Sequence, residues 1–537
     1  MTASGSRAYL DGDKIMGEVG SSGMDYDVIV IGSGFGGLTA ASLLTQLAGK
    51  RVLVLERHFR LGGFNHAFQR KGYHWDVGLH YVGEMHRGGQ MRQVMDLVTG
   101  GGVEWAPMPH EFEVFHYPEV TVRVPADRVA YVDTLIEHFP NQETAIRRYF
   151  TDVHAVSAWC GREVVSWNLP RPLGAAMSAA GRRTRAMALR TTADYLAAHV
   201  DDPVLRAVLA SQWGDYALEP ARSAFAIHAM IVQHYLRGGW YPVGGSDAMT
   251  EAIVRVITAG GGEARVYSTV EEILVENGRA VGVRVARKRG RDSAVEEVRA
   301  PLVISDAGAR ATFNHLLRMP MPQSAALRRV PSGNACVTAY LGLREDPRRL
   351  GFQGENHWIF GDLAHDPVAD GAAALAGRAR SGYLSFPSLK DPAATRHTAE
   401  VITSVPVRAF DDWRGTDWQK RGGDYVAVKE RVGRGLVDLV DRQWPGFAAT
   451  VDHVEVSTPL TVDSFAGYPS GGFADLATTP ERLRRRMFPA AVMPGLKLTG
   501  ADAMALGIVG AMMGGVVAAG SAMGPLGIPR VMARATR

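Results

Sequence analysis

Cysteine is nearly absent: Cys160 and Cys336 are the only two in 537 residues. No CxxC pair exists for redox exchange or zinc, and no disulfide framework can be drawn, so a reducing, cytoplasmic setting is expected. Residues 1–23 have neither the apolar core of a signal peptide nor the Arg-rich, acid-poor character of a transit peptide, and read as a flexible tail. Charge of one sign is also scarce. Lys plus Arg number 59 and Asp plus Glu 55, a net of +4, which excludes the footprint of a dedicated nucleic-acid binder. Long hydrophobic runs are missing with one exception, the uncharged stretch 503–529, long enough to span a bilayer. It carries seven glycines and little Leu, Ile or Phe, so a buried, closely packed helix is expected in place of a membrane span.

Hydrophobic residues make up 46% of the chain and charged residues 21%, which suits a folded protein over most of its length. At about 150 residues per domain, two to four compact units are expected. Glycine is the residue in excess, 61 in all, roughly 11% against a usual ~7%.

The first informative cluster follows the apolar run 26–31. Gly32-x-Gly34-x-x-Gly37, with Phe35 and Gly36 inside it, opens a helical pattern over 38–47, and a second strand, 51–55, ends in Glu56. This is the dinucleotide fingerprint. Gly32 makes the tight turn, Gly34 lets the backbone approach a pyrophosphate, and Gly37 permits close helix–sheet packing. The helix N-terminus faces the phosphates, and Glu56 accepts from the adenosine ribose hydroxyls. Arg57 and Gly62-Gly63 then bring a second backbone loop against the pyrophosphate, which suits a long cofactor lying extended in a groove. No second GxGxxG occurs, so any electron donor or acceptor is a separate partner.

Further along, strands are expected at 112–115, 120–124, 265–270, 272–275, 280–285, 302–305 and 496–500, with a hairpin turn at Glu276-Asn277-Gly278. Residues 131–240 read as mostly helical, 248–258 as a helix, 363–380 as a mobile surface loop, and Gly433-Arg434-Gly435 as helix surface. His228 and His234, six apart on one helix, point to different faces, so no metal site is expected.

The Glu56-Arg57 and Gly62-Gly63 pattern resembles the FAD-binding signature of the flavoprotein superfamily that includes amine oxidases and phytoene desaturases. Residues 241–245, the strand ending at Val270, and 303–307 with Asp306 resemble the discontinuous middle of its FAD domain. Residues 498–502 followed by 507–511 look like the segment that closes the site. Phe64-Asn65-His66-Ala67-Phe68, then 75–83 with Leu79-His80-Tyr81, then 212–216 are similar to the retinol saturase branch, near the carotenoid isomerases. Phe64 stands where the desaturases usually have Arg.

This resemblance implies an α/β, doubly wound, Rossmann-like FAD domain made of 24–104, 241–310 and 481–526, with an inserted mixed α+β substrate domain of 105–240 and 311–480. It implies FAD as the cofactor, with Phe64, Asn65, Leu79, His80, Asp306 and Gly500 around it. The Val270 backbone would meet the adenine, Asp502 the ribityl chain, and the helix N-terminus at Ile508 and Val509 the flavin, where a positive helix end stabilises negative charge. The implied substrate is an apolar retinoid- or carotenoid-like polyene, with saturation of a double bond favoured, desaturation or cis–trans isomerisation as alternatives, and a flavin-free prenyl-lipid carrier as a different class. His80 and Tyr81 fall near the flavin. Asp215 and Tyr216 sit in an otherwise apolar segment where burial would keep a carboxylic acid protonated. Arg482, Arg484, Arg485 and Arg486, ahead of Met487-Phe488-Pro489, suit a peripheral contact with anionic lipid.

Overall fold

The structure, a computed structural model, describes residues 26–168, 171–179, 181–289, 292–468, 470–485 and 491–537. The tail 1–23 and the segment 486–489 lie outside these residues.

The runs VIVI and VLVL at Val28–Ile31 and Val52–Leu55 are buried on both faces, as β-branched strands inside a parallel sheet must be. They form the centre of a six-stranded sheet in the order Glu263–Arg265, Val52–Leu55, Val28–Ile31, Leu302–Ser305, Leu496–Leu498, Ala491–Met493, parallel except for the last pair. Val28 and Val30 pack on one face against Leu38, Leu43, Ile253 and Val516 from the helices Phe35–Ala48, Gly245–Ala259 and Ile508–Ala522. Ile29 and Ile31 pack on the other against Val270, Ile273, Val283 and Val285 of the meander Ser268–Glu276, Arg279–Arg289, Asp292–Arg299. The result is a three-layer, doubly wound arrangement.

The glycine-rich stretch 503–529 forms a 15-residue helix, Ile508–Ala522, packed inside this layer. A Cβ on Gly515 would stand 2.5 Å from the Gly36 carbonyl oxygen and 2.6 Å from Thr39 Cβ, so glycine there lets two helix backbones touch. Among the described residues no helix is long and apolar enough to cross a membrane.

Three local expectations need correction. The strand expected at 265–270 breaks at Tyr267, whose φ of 51° redirects the chain from the parallel sheet into the meander. Residues 363–380 hold an ordered helix, Pro367–Leu375, capped by Asp366, whose side chain accepts from Val368 N and Ala369 N; its Asp370 pairs with Arg380 at 2.8 Å. An Asp-Pro start outweighs the loop-like Ala, Gly and Asp composition. Gly433 and Gly435 are helical but buried, facing Val456 and Gly377. The turn at Asn277 (φ 49°) and Gly278 (φ 73°) has the two left-handed residues that a tight hairpin demands.

A seven-stranded mixed sheet takes the order Val451–Ser457, Ala335–Leu343, His397–Val405, Gly382–Ser385, Asn356–Ile359, Glu111–His116, Thr121–Pro125. The helix Gly423–Gln443 covers part of it. Phe112, Phe115, Trp358 and Tyr383 face the helices Glu143–Asn168 and Phe225–Tyr235 instead. Between this sheet, those helices and the parallel sheet lies the cavity.

Candidate active site

The cavity measures about 840 Å³, inside the ~300–1,000 Å³ range of small-molecule sites. One half is a cradle of bare backbone. Gly32 has a φ of 90°, which L side chains avoid, and a Cβ on Gly63 would stand 3.0 Å from the Gly34 Cα, so the two glycine turns meet backbone to backbone. Ser33 ties them together: its Oγ donates to Glu56 Oε2 (2.7 Å) and accepts from Gly62 N (3.0 Å). Glu56 Oε2 also accepts from Ser33 N (2.9 Å) and Oε1 from His58 N (2.8 Å). Glu56 is therefore a brace for both turns as well as a cavity wall, with acceptor capacity left on Oε1 for a ligand hydroxyl.

Asp306 is half-buried at the cavity wall, packed against Gly34, Gly36 and Gly500, where a Cβ would stand within 3.0 Å of its carboxyl oxygens. Burial, and the charges of Glu56 and Asp502, push its pKa up to about 8 against the opposing Gly37 N–H. A neutral acid at the N-terminus of the helix Phe35–Ala48 leaves that helix end free to attract phosphate. The cradle fits an anionic dinucleotide. Arg57 sits exposed at its edge, Nη2 donating to the Asp463 and Ser464 carbonyls (both 3.3 Å) at the end of the helix Pro459–Ala466.

The other half is a chamber of aromatic and aliphatic wall, including Trp159, Ile227, Met230, Ile231, Trp358 and Tyr383. A polar group centred on Tyr81 is set into it. Tyr81 Oη lies 2.8 Å from Asp215 Oδ2 and 2.5 Å from Glu113 Oε1, and its ring stacks on Tyr235 at 4.2 Å. Glu113, buried behind them, accepts from Trp358 Nε1 (3.0 Å) and Gln212 Nε2 (2.7 Å). Burial raises both carboxyls, Glu113 to about 7, and Asp215 further because it also feels the Glu113 charge.

Beside them, His80 Nδ1 stands 2.9 Å from buried Glu400 Oε2; burial, then Lys390, lowers the imidazole to about 3. Lys390 Nζ donates to the His80 carbonyl (2.9 Å), Ser385 Oγ (2.7 Å) and Asn356 Oδ1, and burial lowers it to about 7.

Most residues singled out in the sequence meet on this wall: Gly32, Gly34, Phe35, Gly36, Glu56, Arg57, Gly62, Gly63, Phe64, Asn65, His80, Tyr81, Asp215, Val270, Asp306, Gly500, Ile508 and Val509. Four do not. Gly37 packs helix on strand, its absent Cβ 2.6 Å from the Gly32 carbonyl oxygen. Leu79 is core. Tyr216 is buried with its hydroxyl 3.2 Å from His228 Nδ1, away from the cavity. Asp502 turns behind the wall to accept from Ala309 N (2.8 Å), and Arg482 Nη2 donates to its carbonyl (2.6 Å). Arg482 is thus interior rather than part of a basic surface run, and Arg484 donates to the Leu189 carbonyl (2.8 Å). His228 and His234 do face apart, toward Tyr149 and Glu84 respectively, and no metal-holding cluster occurs among the described residues.

Sequence reasoning passed over Glu113, Lys390 and Glu400. The signal for Glu113 was a lone acid inside the apolar strand residues Phe112, Val114 and Phe115.

Residues 30–98 match the family model of the NAD(P)-binding Rossmann-like domain. The chain is 31% identical to the human all-trans-retinol 13,14-reductase, covering 91% of this chain and 84% of that protein. The chain belongs to the retinol saturase branch of the phytoene desaturase and carotenoid isomerase family. It is 26% identical to the carrot chloroplastic prolycopene isomerase over 97% of this chain and 83% of the relative. The fold matches the cyclohexylamine oxidase of Brevibacterium oxydans, with a TM-score of 0.61 at 17% identity, over 96% of this chain and all of that one. A member of this family is an oxidoreductase, and the glycine cradle lies within the stretch that matches the dinucleotide-binding Rossmann-like domain.

Proposed function

We propose that this protein is an FAD-dependent oxidoreductase that saturates one carbon–carbon double bond of a retinoid- or carotenoid-like polyene. One observation carries the reading: a single cavity joins the glycine cradle to an apolar chamber, and the Tyr81–Asp215 pair stands on the chamber wall. Gly34, Gly36, Gly63, Glu56 and Val270 would hold FAD, which supplies two electrons as a hydride when reduced. The aromatic wall orients a polyene and keeps water out. Asp215 or Tyr81 supplies the proton: its O–H bond breaks as the electron pair of the double bond forms a C–H bond on the carbon next to the one that receives the hydride. The greater similarity to the human reductase than to the carrot isomerase supports saturation over isomerisation.

The test is anaerobic incubation of photoreduced holoenzyme with all-trans-retinol, then with a carotenoid. Stoichiometric flavin reoxidation with product two hydrogens heavier is the expected result. Unchanged mass with altered geometry would make the protein an isomerase, and a colourless protein that cannot be reconstituted with FAD would make it a lipid carrier.

Such a substrate arrives from a bilayer. The chamber wall includes Trp159, Cys160 and Arg185. The nearby surface of the helices Glu143–Asn168, Arg171–Ala179 and Arg182–Ala188 exposes Val165, Leu173 and Met177 beside Arg162, Arg182 and Arg183. Apolar side chains among arginines match an anionic lipid surface, and this face is a docking surface in our reading.

A further inference from the structure

The donors around Glu113 favour one location for a proton. Trp358 Nε1 and the Gln212 amide NH₂ can only donate, so both Glu113 oxygens act as acceptors, Oε1 to Trp358 at 3.0 Å and Oε2 to Gln212 at 2.7 Å. The shortest contact in the set, 2.5 Å, joins the same Oε1 to Tyr81 Oη. Tyr81 owns a single proton. If that proton points to Glu113, the 2.8 Å contact between Tyr81 Oη and Asp215 Oδ2 closes only when Asp215 brings a proton of its own. The geometry points to Glu113 as a positioning residue: an ionised acceptor that fixes the Tyr81 hydroxyl toward itself and thereby keeps the transferable proton on Asp215, at the chamber wall.

The charge fits. Lys390 is anchored on the His80 carbonyl, with its ammonium 6.0 Å from the Tyr81 ring centre, and its positive charge favours ionised Glu113. Tyr81, Tyr235 and Tyr383 lie near both carboxyls and Tyr131 near Glu113, from three different elements and the loop before Val82, and they stay neutral phenols, their acidity suppressed by burial. Two carboxyls bridged by one hydroxyl share one proton between them, and the repulsion of the second negative charge keeps it there well above the usual carboxylate range.

This assignment rests on the polyene-saturating reading only for its use; its proton location is measurable without turnover. The infrared spectrum of wild-type holoprotein at pH 8 should carry the C=O band of a protonated carboxyl that Asp215→Asn lacks, whereas Glu113→Gln should still show that band at pH 5 and lose it at a lower pH than wild type does. A protonated band lost in Glu113→Gln and retained in Asp215→Asn would overturn the assignment. With turnover, Glu113→Gln should leave KM for the polyene within about twofold and move the basic limb of the kcat profile down by a pH unit or more, since the repulsion that holds the Asp215 proton is gone. A pH-independent loss of kcat would refute the positioning role and leave Glu113 a packing residue. If the infrared result holds and no polyene is reduced, the functional reading fails while the proton assignment stands.

Discussion

Replacing Asp306 by Asn tests whether a half-buried acid at the cavity wall governs both stability and cofactor affinity. In the folded protein its carboxyl rises from 3.8 to about 8, so folding takes up a proton between these values. The sign follows from linkage: the native state binds more protons than the unfolded chain across this window, so stability falls as pH rises from about 4 to about 8. At ~1.36 kcal/mol per pH unit the full effect is on the order of 6 kcal/mol, an upper value because a little water entry softens burial. The Asn amide has the same shape, can still accept from Gly37 N–H, and carries no charge to bury. Urea unfolding of the apoprotein at pH 4 and pH 8 should therefore show Asp306→Asn gaining several kcal/mol over wild type at the higher pH and little at the lower. Binding of a dinucleotide adds negative charge and raises Asp306 further. Wild-type affinity for FAD should accordingly decline above pH 8, with proton uptake on binding, and the variant should lose that decline. Parallel pH curves for variant and wild type, in both unfolding and titration, would refute the reasoning.

Other outcomes follow from single contacts. Gly515→Ala places a methyl 2.5 Å from the Gly36 carbonyl oxygen; an overpacking cost of about 1–3 kcal/mol is expected, read as a lower Tm together with loss of bound flavin absorbance. Asp215→Asn should cut kcat by roughly 10²–10⁴ while leaving FAD bound; a kcat unchanged in single-turnover reduction would remove Asp215 from the chemistry. Arg182→Glu with Arg183→Glu should abolish flotation with phosphatidylserine-containing vesicles at low salt without altering turnover of detergent-dispersed substrate. Equal flotation of variant and wild type would place the membrane contact elsewhere.

The cofactor half of the site was legible because its chemistry is backbone chemistry. A chain that must pass at φ near 90° at Gly32, or touch another turn at Gly63, can do so only with glycine, so the requirement is written as residue identity in short, ordered spacings. The helix 508–522 was legible for the same reason, since its glycines mark contact with another backbone. Asp502 misled because the residue type is right and the neighbourhood is right; only the direction of its side chain, set by the unsatisfied Ala309 N–H at a helix start, sends it behind the wall.

The proton-bearing half follows a different rule. Tyr81, Glu113, Asp215, Trp358 and Lys390 come from five separated stretches of chain, and no spacing among them is constrained by local geometry. What constrains them is satisfaction: an acid in the apolar strand Glu111–His116 is tolerable only if other elements deliver donors to both its oxygens. A lone acid flanked by Phe112 and Val114 therefore says that partners exist somewhere in the fold, and it cannot say which. That is the form in which buried polar chemistry enters a sequence: as a local inconsistency in an otherwise apolar element, resolved only by tertiary contacts. By that rule His80 is placed by its neighbours too. Its imidazole lies beside Glu400 and its carbonyl accepts from Lys390, so the segment that carries Tyr81 to the chamber wall is anchored by a residue next to the mixed sheet, the body that also supplies Glu113 and Trp358.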